Sequence, residues 1–353
     1  MTTTSTANHR YLLFGTELYA LPILLPLAAA IVRRGGEVAW FLHGVDAKKL
    51  PGDQLCLGSA AAVRDWRSEA VFAASNWVPD FFPGLKVQVF HGFSVDKRNQ
   101  QRGHFRIRGL FDLYCTQGPA TTGEFQRIER EHPHFRTVET GWPKLDPLFA
   151  PMPQASDLRP SDGRPVIAFG STFTESLSCA ATLYPQIARL VEQGQWYWLL
   201  TLHPKCAPEL FEKYRALAGP NARFVESDQL LPLLRNGDVL LSDTSSIVEE
   251  FAVQIKPVVT FRNRSPKPHR LDFDEPERLE HMLQLALSRP ADLIQALEQN
   301  AMAIHPYRDG RASERVFDAA QAMLADGRAG LERKPLNLWR KLQMRQRLGY
   351  WRF

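Results

Sequence analysis

Short apolar runs rich in β-branched and aromatic residues recur along the chain, each followed by a stretch with helical spacing. In the first half the runs are Tyr11–Phe14, Val38–Leu42, Val71–Ala74, Val87–Phe90 and Leu113–Thr116, with a helix over Leu21–Arg34. In the second half they are Val166–Phe169, Trp196–Leu202, Val239–Leu241 and Pro257–Phe261, alternating with helices near 180–193, 207–217 and 246–254. Runs that are apolar at nearly every position belong to strands covered on both faces, and strands alternating with helices predict parallel, doubly wound sheets in an α/β fold. Between the halves, residues 150–165 hold four prolines and no apolar period, as a linker does. The expected organisation is a first domain over 1–149, a linker over 150–165, a second domain over 166–331 and a separate tail over 332–353.

The chemistry gathers where predicted strands end. The run Val239–Leu241 passes through Ser242, Asp243, Thr244, Ser245 and Ser246 straight into a helix starting at Ile247. Such a turn points unpaired N–H groups outward at the positive end of the helix dipole, and three hydroxyls add donors. Glu250, one turn past Ser246, is spaced to accept from sugar hydroxyls. A phosphate with a sugar beside it suits this pattern; a Ser/Thr-capped core helix carries the same signature. Two further strands end in related groups, His203-Pro204 and Gly170-Ser171-Thr172. Ligands collect at the carboxyl ends of parallel strands, so Ser171, Thr172, His203 and the Asp243–Ser246 turn are expected around one anionic ligand. The loop Phe261–Arg270 is dense in cations and brings Arg262 as a further candidate.

In the first half, His91-Gly92 closes the run Val87–Phe90, a suitable place for a general base, although many turn histidines look alike. Asp96, Lys97 and Arg98 then open a polar stretch reaching Arg108, suited to an acceptor channel. The segment Asn76–Gly84, with Trp77, Phe81 and Phe82, reads either as an apolar contact near the acceptor or as a core loop.

Charge alters this picture at one end only. Of the net +5, residues 332–353 carry +6, leaving the remainder at −1. Trp339, Tyr350, Trp351 and Phe353 are interleaved with those cations, a composition that suits the inner membrane surface as well as a packed terminal helix; no nucleic-acid motif accompanies it. The longest apolar run, Leu21–Val32, contains two prolines and is too short to span a bilayer, and no signal peptide is recognisable, so a cytoplasmic location is expected, peripheral on the inner face if the tail engages lipid. Four cysteines without CxxC spacing suggest neither disulfides nor zinc. Absence of GxGxxG, P-loop and GxSxG sequences argues against dinucleotide oxidoreductases, P-loop kinases and α/β-hydrolases.

Taken in order, His91-Gly92, Gly141-Trp142-Pro143-Lys144-Leu145-Asp146, His203-Pro204, Asp243-Thr244-Ser245-Ser246-Ile247 with Lys256-Pro257, and Asp309-Gly310-Arg311-Ala312-Ser313-Glu314-Arg315 resemble the CDP-glycerol glycerophosphotransferase family, whose members build or prime teichoic acids. The resemblance implies a GT-B fold, two Rossmann-like domains facing a central cleft, with the donor on the C-terminal one. It implies a catalytic role for His91, diphosphate binding by His203, and a phosphate turn at Asp243, Ser245 and Ser246. Phe93-Ser94-Val95-Asp96-Lys97 departs from the Thr-Pro-Leu-Lys that many members have after His-Gly. Segments 242–250 and 305–312 are also similar to the nucleotide site of UDP-N-acetylglucosamine 2-epimerases, without a counterpart of their acidic and arginine-rich catalytic segment.

The expected activity is transfer of a glycerophosphate-type or glycosyl group from a nucleotide-diphosphate donor, of CDP-glycerol type, to a hydroxyl of a glycan or lipid-linked acceptor. His91 and His203 are the catalytic candidates. Ser171, Thr172, His203, Asp243, Thr244, Ser245, Ser246, Glu250 and Arg262 are the donor-binding ones. No metal or resident cofactor is expected. The alternatives are a nucleotide-sugar glycosyltransferase of capsule or lipopolysaccharide synthesis, and behind it an epimerase-like enzyme or a non-catalytic nucleotide-binding module.

Overall fold

A computed structural model describes residues 9–93, 105–151, 157–226 and 229–351, and the chain divides into two compact units, 1–149 with 304–353, and 150–303. The polar stretch from Asp96 to Arg98 and the last two residues lie outside the described residues.

The first unit is built on β1 (Arg10–Gly15), β2 (Glu37–Leu42), β3 (Ala70–Ala73), β4 (Leu85–Gln88), β5 (Leu113–Thr116) and β6 (Arg136–Glu139). Its sheet order is β2-β1-β3-β4-β5-β6, parallel throughout. Helices α1 (Ala20–Arg33), α2 (Ala60–Trp66), α3 (Pro119–Glu131) and α4 (Asp146–Phe149) accompany it. The second unit holds β7 (Val166–Ser171), β8 (Tyr197–Leu202), β9 (Ala222–Phe224), β10 (Val239–Ser242), β11 (Val258–Phe261) and β12 (Leu271–Phe273) in the order β12-β11-β10-β7-β8-β9, again all parallel. Its helices are α5 (Ala180–Gln193), α6 (Pro208–Arg215), α7 (Leu230–Asn236), α8 (Ile247–Ala252), α9 (Leu279–Leu287) and α10 (Ala291–Ile304). Both sheets are Rossmann-like, and β3, β4, β5, β7 and β10 are buried at every position, as strands covered on both faces must be. The strands that no apolar run announces, β6, β9 and β12, are all sheet edges. An edge strand packs on one neighbour only and tolerates the half-exposed side chains of Arg-Thr-Val-Glu or Leu-Asp-Phe.

The chain does not finish in the second unit. The boundary expected at 331 is corrected: from Ile304 onward the chain returns to the first unit, where it forms α11 (Ala312–Ala325) and α12 (Leu338–Arg347). What fastens it is the meeting of two segments far apart in sequence, residues 139–146 and 305–315. Asp146 is buried and accepts from the N–H groups of Ala312 and Ser313 at 2.8 and 2.7 Å, capping the start of α11. The Trp142 N–H donates to His305 Nε2 at 3.0 Å, Arg315 Nε donates to the Thr140 carbonyl at 2.8 Å, and the Tyr307 hydroxyl donates to Glu139 at 3.1 Å. Gly141 (φ +80°) is required at this crossing, because a Cβ there would stand 3.0 Å from both His305 and Tyr307.

The tail is folded as well. Met344 and Tyr350 join the core of the first unit, with Tyr350 stacked on Phe81 (centroids 4.6 Å apart) and its hydroxyl taking a hydrogen bond from Arg64 at 2.6 Å. Lys334 and Arg328 reach the buried Asp112 carboxylate at 2.8 and 2.7 Å. Of the two expectations for Asn76–Gly84, the core loop is the one realised: Val78 and Phe82 are buried, while Phe81 and Trp77 receive the tail. No helix among the described residues is long and apolar enough to cross a membrane.

Candidate active site

In the second sheet the strand order reverses between β7 and β10, so a crevice forms outside their carboxyl ends. The end of β7 brings Ser171 to that point, the loop after it brings Thr172, and the turn after β10 brings Asp243 to Ser246. Asp243 differs from its expected role. It is fully buried, and its carboxylate accepts from the Thr172 N–H with both oxygens (3.1 Å each) and from the Cys179 N–H at 3.1 Å. Burial raises its pKa above the ordinary carboxylate value, and those backbone donors oppose the rise. The side chain pins the two loops together, its carboxylate engaged by backbone N–H groups. Its carbonyl accepts from Asn263 Nδ2 at 2.8 Å, which ties in the loop after β11.

Thr244 is committed too, its hydroxyl accepting from the Arg264 N–H at 3.3 Å. Ser245 is half-buried and Ser246 exposed. Ser246 occupies the N-cap of α8 in a helical conformation (φ −67°, ψ −19°) and its hydroxyl makes no capping bond, so the capped-helix alternative is not what this turn does. Glu250 lies on α8 and is buried. Arg262 points its guanidinium at the Asp274 carbonyl (3.1 and 2.9 Å), bracing the β11 to β12 crossover.

His203, exposed just past β8, has a defined tautomer. Its Nδ1 accepts from the Lys205 N–H at 3.1 Å, so in the neutral ring Nε2 carries the proton and is a donor. Partial burial, then the Lys205 charge, lower its pKa from 6.5, which keeps the ring neutral at pH 7. Phe173 lies beside the imidazole with centroids 4.5 Å apart.

His91 has the opposite tautomer. The first sheet reverses between β1 and β3, and His91, immediately after the positive-φ Phe90, places Nδ1 3.1 Å from the carbonyl of Ala74, just past β3. A carbonyl only accepts, so Nδ1 carries the proton and the neutral ring has its lone pair on Nε2, as a general base requires. Tyr19, after β1, stacks on the ring at 5.0 Å, and Gln117 Nε2 donates to the Gly92 carbonyl at 2.8 Å. Among the described residues a Cβ at Gly92 would meet nothing within 4 Å.

Sequence reasoning missed the support around these groups. Asn263, Tyr19, Phe173 and Gln117 carry no motif, and their positions depend on loops crossing at strand ends. It also missed a buried ion network behind α8, where Glu249 meets Arg270, His269 (3.5 Å) and Asn300 (3.0 Å). Burial opposes the Glu249 charge, but those three partners outweigh it and hold the carboxyl at about 2.

Solved structures share this two-sheet architecture. The wall teichoic acid polymerase TagF is matched with a TM-score of 0.68 at 14% identity, over 91% of this chain and 90% of that one. The fold is GT-B. A putative UDP-N-acetylglucosamine 2-epimerase from Listeria monocytogenes is matched with a TM-score of 0.63 at 14% identity (93% and 99% covered), and the calicheamicin glycosyltransferase CalG4 with 0.54 at 14% (92% and 99%). At such identities the likeness is one of fold. No family model and no curated protein matches the sequence.

Proposed function

We propose that this chain is a GT-B transferase that moves a glycerophosphate-type group from a CDP-glycerol-like donor to a hydroxyl of a glycan or lipid-linked acceptor. The observation carrying the donor half is the convergence of Ser171, Thr172, Ser245 and Ser246 at the switch point of the second sheet, beside the neutral Nε2–H donor of His203. Neutral donors and backbone N–H groups suit the negative charge of a diphosphate. Glu250 is assigned to the ribose.

In the proposed step, His91 Nε2 takes the acceptor hydroxyl proton as the oxygen attacks the distal phosphorus. The bond from that phosphorus to the bridging oxygen breaks, and a nucleoside monophosphate leaves with the charge that His203 and the serines neutralise. The order of motifs favours the CDP-glycerol donor, and one TagF structure with which the fold is shared is a His-to-Asn variant soaked with CDPG. In the second reading a nucleotide sugar is the donor and a nucleoside diphosphate leaves; the shared fold with CalG4 supports it.

Thermal-shift titration with CMP, CDP, UDP and GDP separates the two. Cytidine nucleotides are expected to stabilise the protein, and His91→Ala to retain that stabilisation while turnover disappears. Stabilisation by UDP alone would exclude the CDP-glycerol reading, and full turnover by His91→Ala would exclude the base.

A further inference from the structure

Helix α12 presents two features that the proposed reaction does not use. At 100° per residue Leu338, Trp339 and Leu342 share one stripe, and they are 71%, 70% and 44% exposed. Leu336 and Trp351 extend the apolar surface at either end of the helix, again exposed. Cations line both flanks of the stripe. Lys341 and Arg345 turn toward Asp80 at 4.0 and 3.8 Å. On the other flank Arg340 and Arg347 join Arg108, Trp77 and Leu110 around a pocket of about 210 Å³.

Three arginines in one pocket are a cost unless an anion joins them. Among the described residues none of Arg108, Arg340 and Arg347 forms an ion pair with a carboxylate; Arg340 donates to Asn337 at 3.1 Å and Arg347 lies 4.7 Å over the Trp77 ring. Burial, and next the neighbouring cation Arg106 with a further contribution from Arg340, pushes the Arg108 guanidinium below its ordinary value, against a smaller opposing contribution from Tyr114. A soluble anion would account for the pocket and not for the apolar stripe beside it. A macromolecular partner of anionic surface and apolar interior accounts for both, and a phospholipid leaflet has that construction.

We infer that the Arg108–Arg340–Arg347 pocket takes the phosphate of an anionic phospholipid while Leu338, Trp339 and Leu342 enter the acyl boundary of the same leaflet. The inference rests on the proposed transfer to a lipid-linked acceptor only for its purpose; the binding itself needs neither donor nor acceptor.

The test is sedimentation of the full-length protein with phosphatidylcholine vesicles, with and without phosphatidylglycerol, in the absence of any nucleotide. Binding is expected only to the phosphatidylglycerol vesicles and is expected to fall as salt rises. Arg108→Gln with Arg340→Gln should lower partitioning about thirtyfold. Leu338→Ser with Trp339→Ser and Leu342→Ser should abolish it. The charge-matched pair Lys48→Gln with Lys49→Gln, exposed residues of the same unit, should leave it unchanged, and all variants should keep the parent melting temperature. Partitioning of the arginine variant equal to the parent would overturn the pocket. Retained binding by the serine variant would overturn insertion, and release by inorganic phosphate matched to the lipid phosphate concentration would convert the site to one for soluble anions. Failure of cytidine nucleotides to stabilise the protein would remove the proposed donor and leave these results standing.

Discussion

Two histidines of the same chain are held in opposite tautomers by the partner that faces Nδ1. A carbonyl facing Nδ1 leaves the lone pair of the neutral His91 ring on Nε2, and an N–H facing Nδ1 leaves the proton of the neutral His203 ring on Nε2. Because His203 is exposed and kept neutral, His203→Ala removes a donor without disturbing packing. Nucleotide affinity should fall about tenfold to a hundredfold, since a hydrogen bond to a charged group contributes roughly 1.5–3 kcal/mol, with the melting temperature unchanged. Asp243→Ala should do the reverse in kind. It leaves the buried Cys179 N–H and the part-buried Thr172 N–H unpaired, so stability should drop by about 1–3 kcal/mol in urea titration, and affinity should weaken only as the loops loosen. An Asp243→Ala protein of parent stability would show that the carboxylate does not hold the loops.

At the scale of elements, the crossing of residues 139–146 with 305–315 makes a pH-dependent joint. His305 is buried, accepts the Trp142 N–H, and has its pKa lowered to about 4 by burial and then by the Arg315 charge. The unfolded chain protonates the same imidazole near 6.5, so between those values the unfolded state binds more protons and stability rises with pH. The neutral ring's contribution is complete above about pH 6.5 and is lost as pH falls toward 4, a change on the order of 3 kcal/mol. Urea midpoints measured across that window should fall steeply for the parent and less so for His305→Gln. Parallel curves would assign the acid sensitivity elsewhere, and the Glu249 network is separable because its carboxyl, held at about 2, loses its contribution only below the ordinary carboxylate range.

At the scale of the whole molecule, the first unit is discontinuous, and truncation tests this directly. A chain ending at residue 331 keeps the expected donor domain whole and removes Lys334 from the buried Asp112, and Met344 and Tyr350 from the core. Losing two buried apolar side chains and a buried charge partner is expected to destabilise the first unit by several kcal/mol, with the second unit still melting as before. An unaltered first transition in calorimetry would mean that the tail is an appendage. For the same reason membrane docking is better tested by surface substitutions on α12 than by deletion.

The sequence by itself determined the fold class, the two sheets and the polar strand ends that carry the candidate residues. Central parallel strands must be apolar on both faces, and the small polar residues that follow them mark where those strands end. It marked His91, His203 and the Ser245–Ser246 turn for a related reason: strand, turn and helix are neighbours along the chain, so their proximity is local. Edge strands β6, β9 and β12 escaped it because one-sided packing leaves no continuous apolar run. Only the tertiary structure decided which polar groups face inward. Asp243 and Ser246 are three residues apart in one polar run, yet one carboxylate is consumed by backbone N–H groups from another loop while the hydroxyl stays exposed. The return of residues 304–353 was likewise beyond local reading, because Asp146 capping α11 and Trp142 meeting His305 join positions more than 160 residues apart. Such contacts form only when the folded sheet brings both segments to one place.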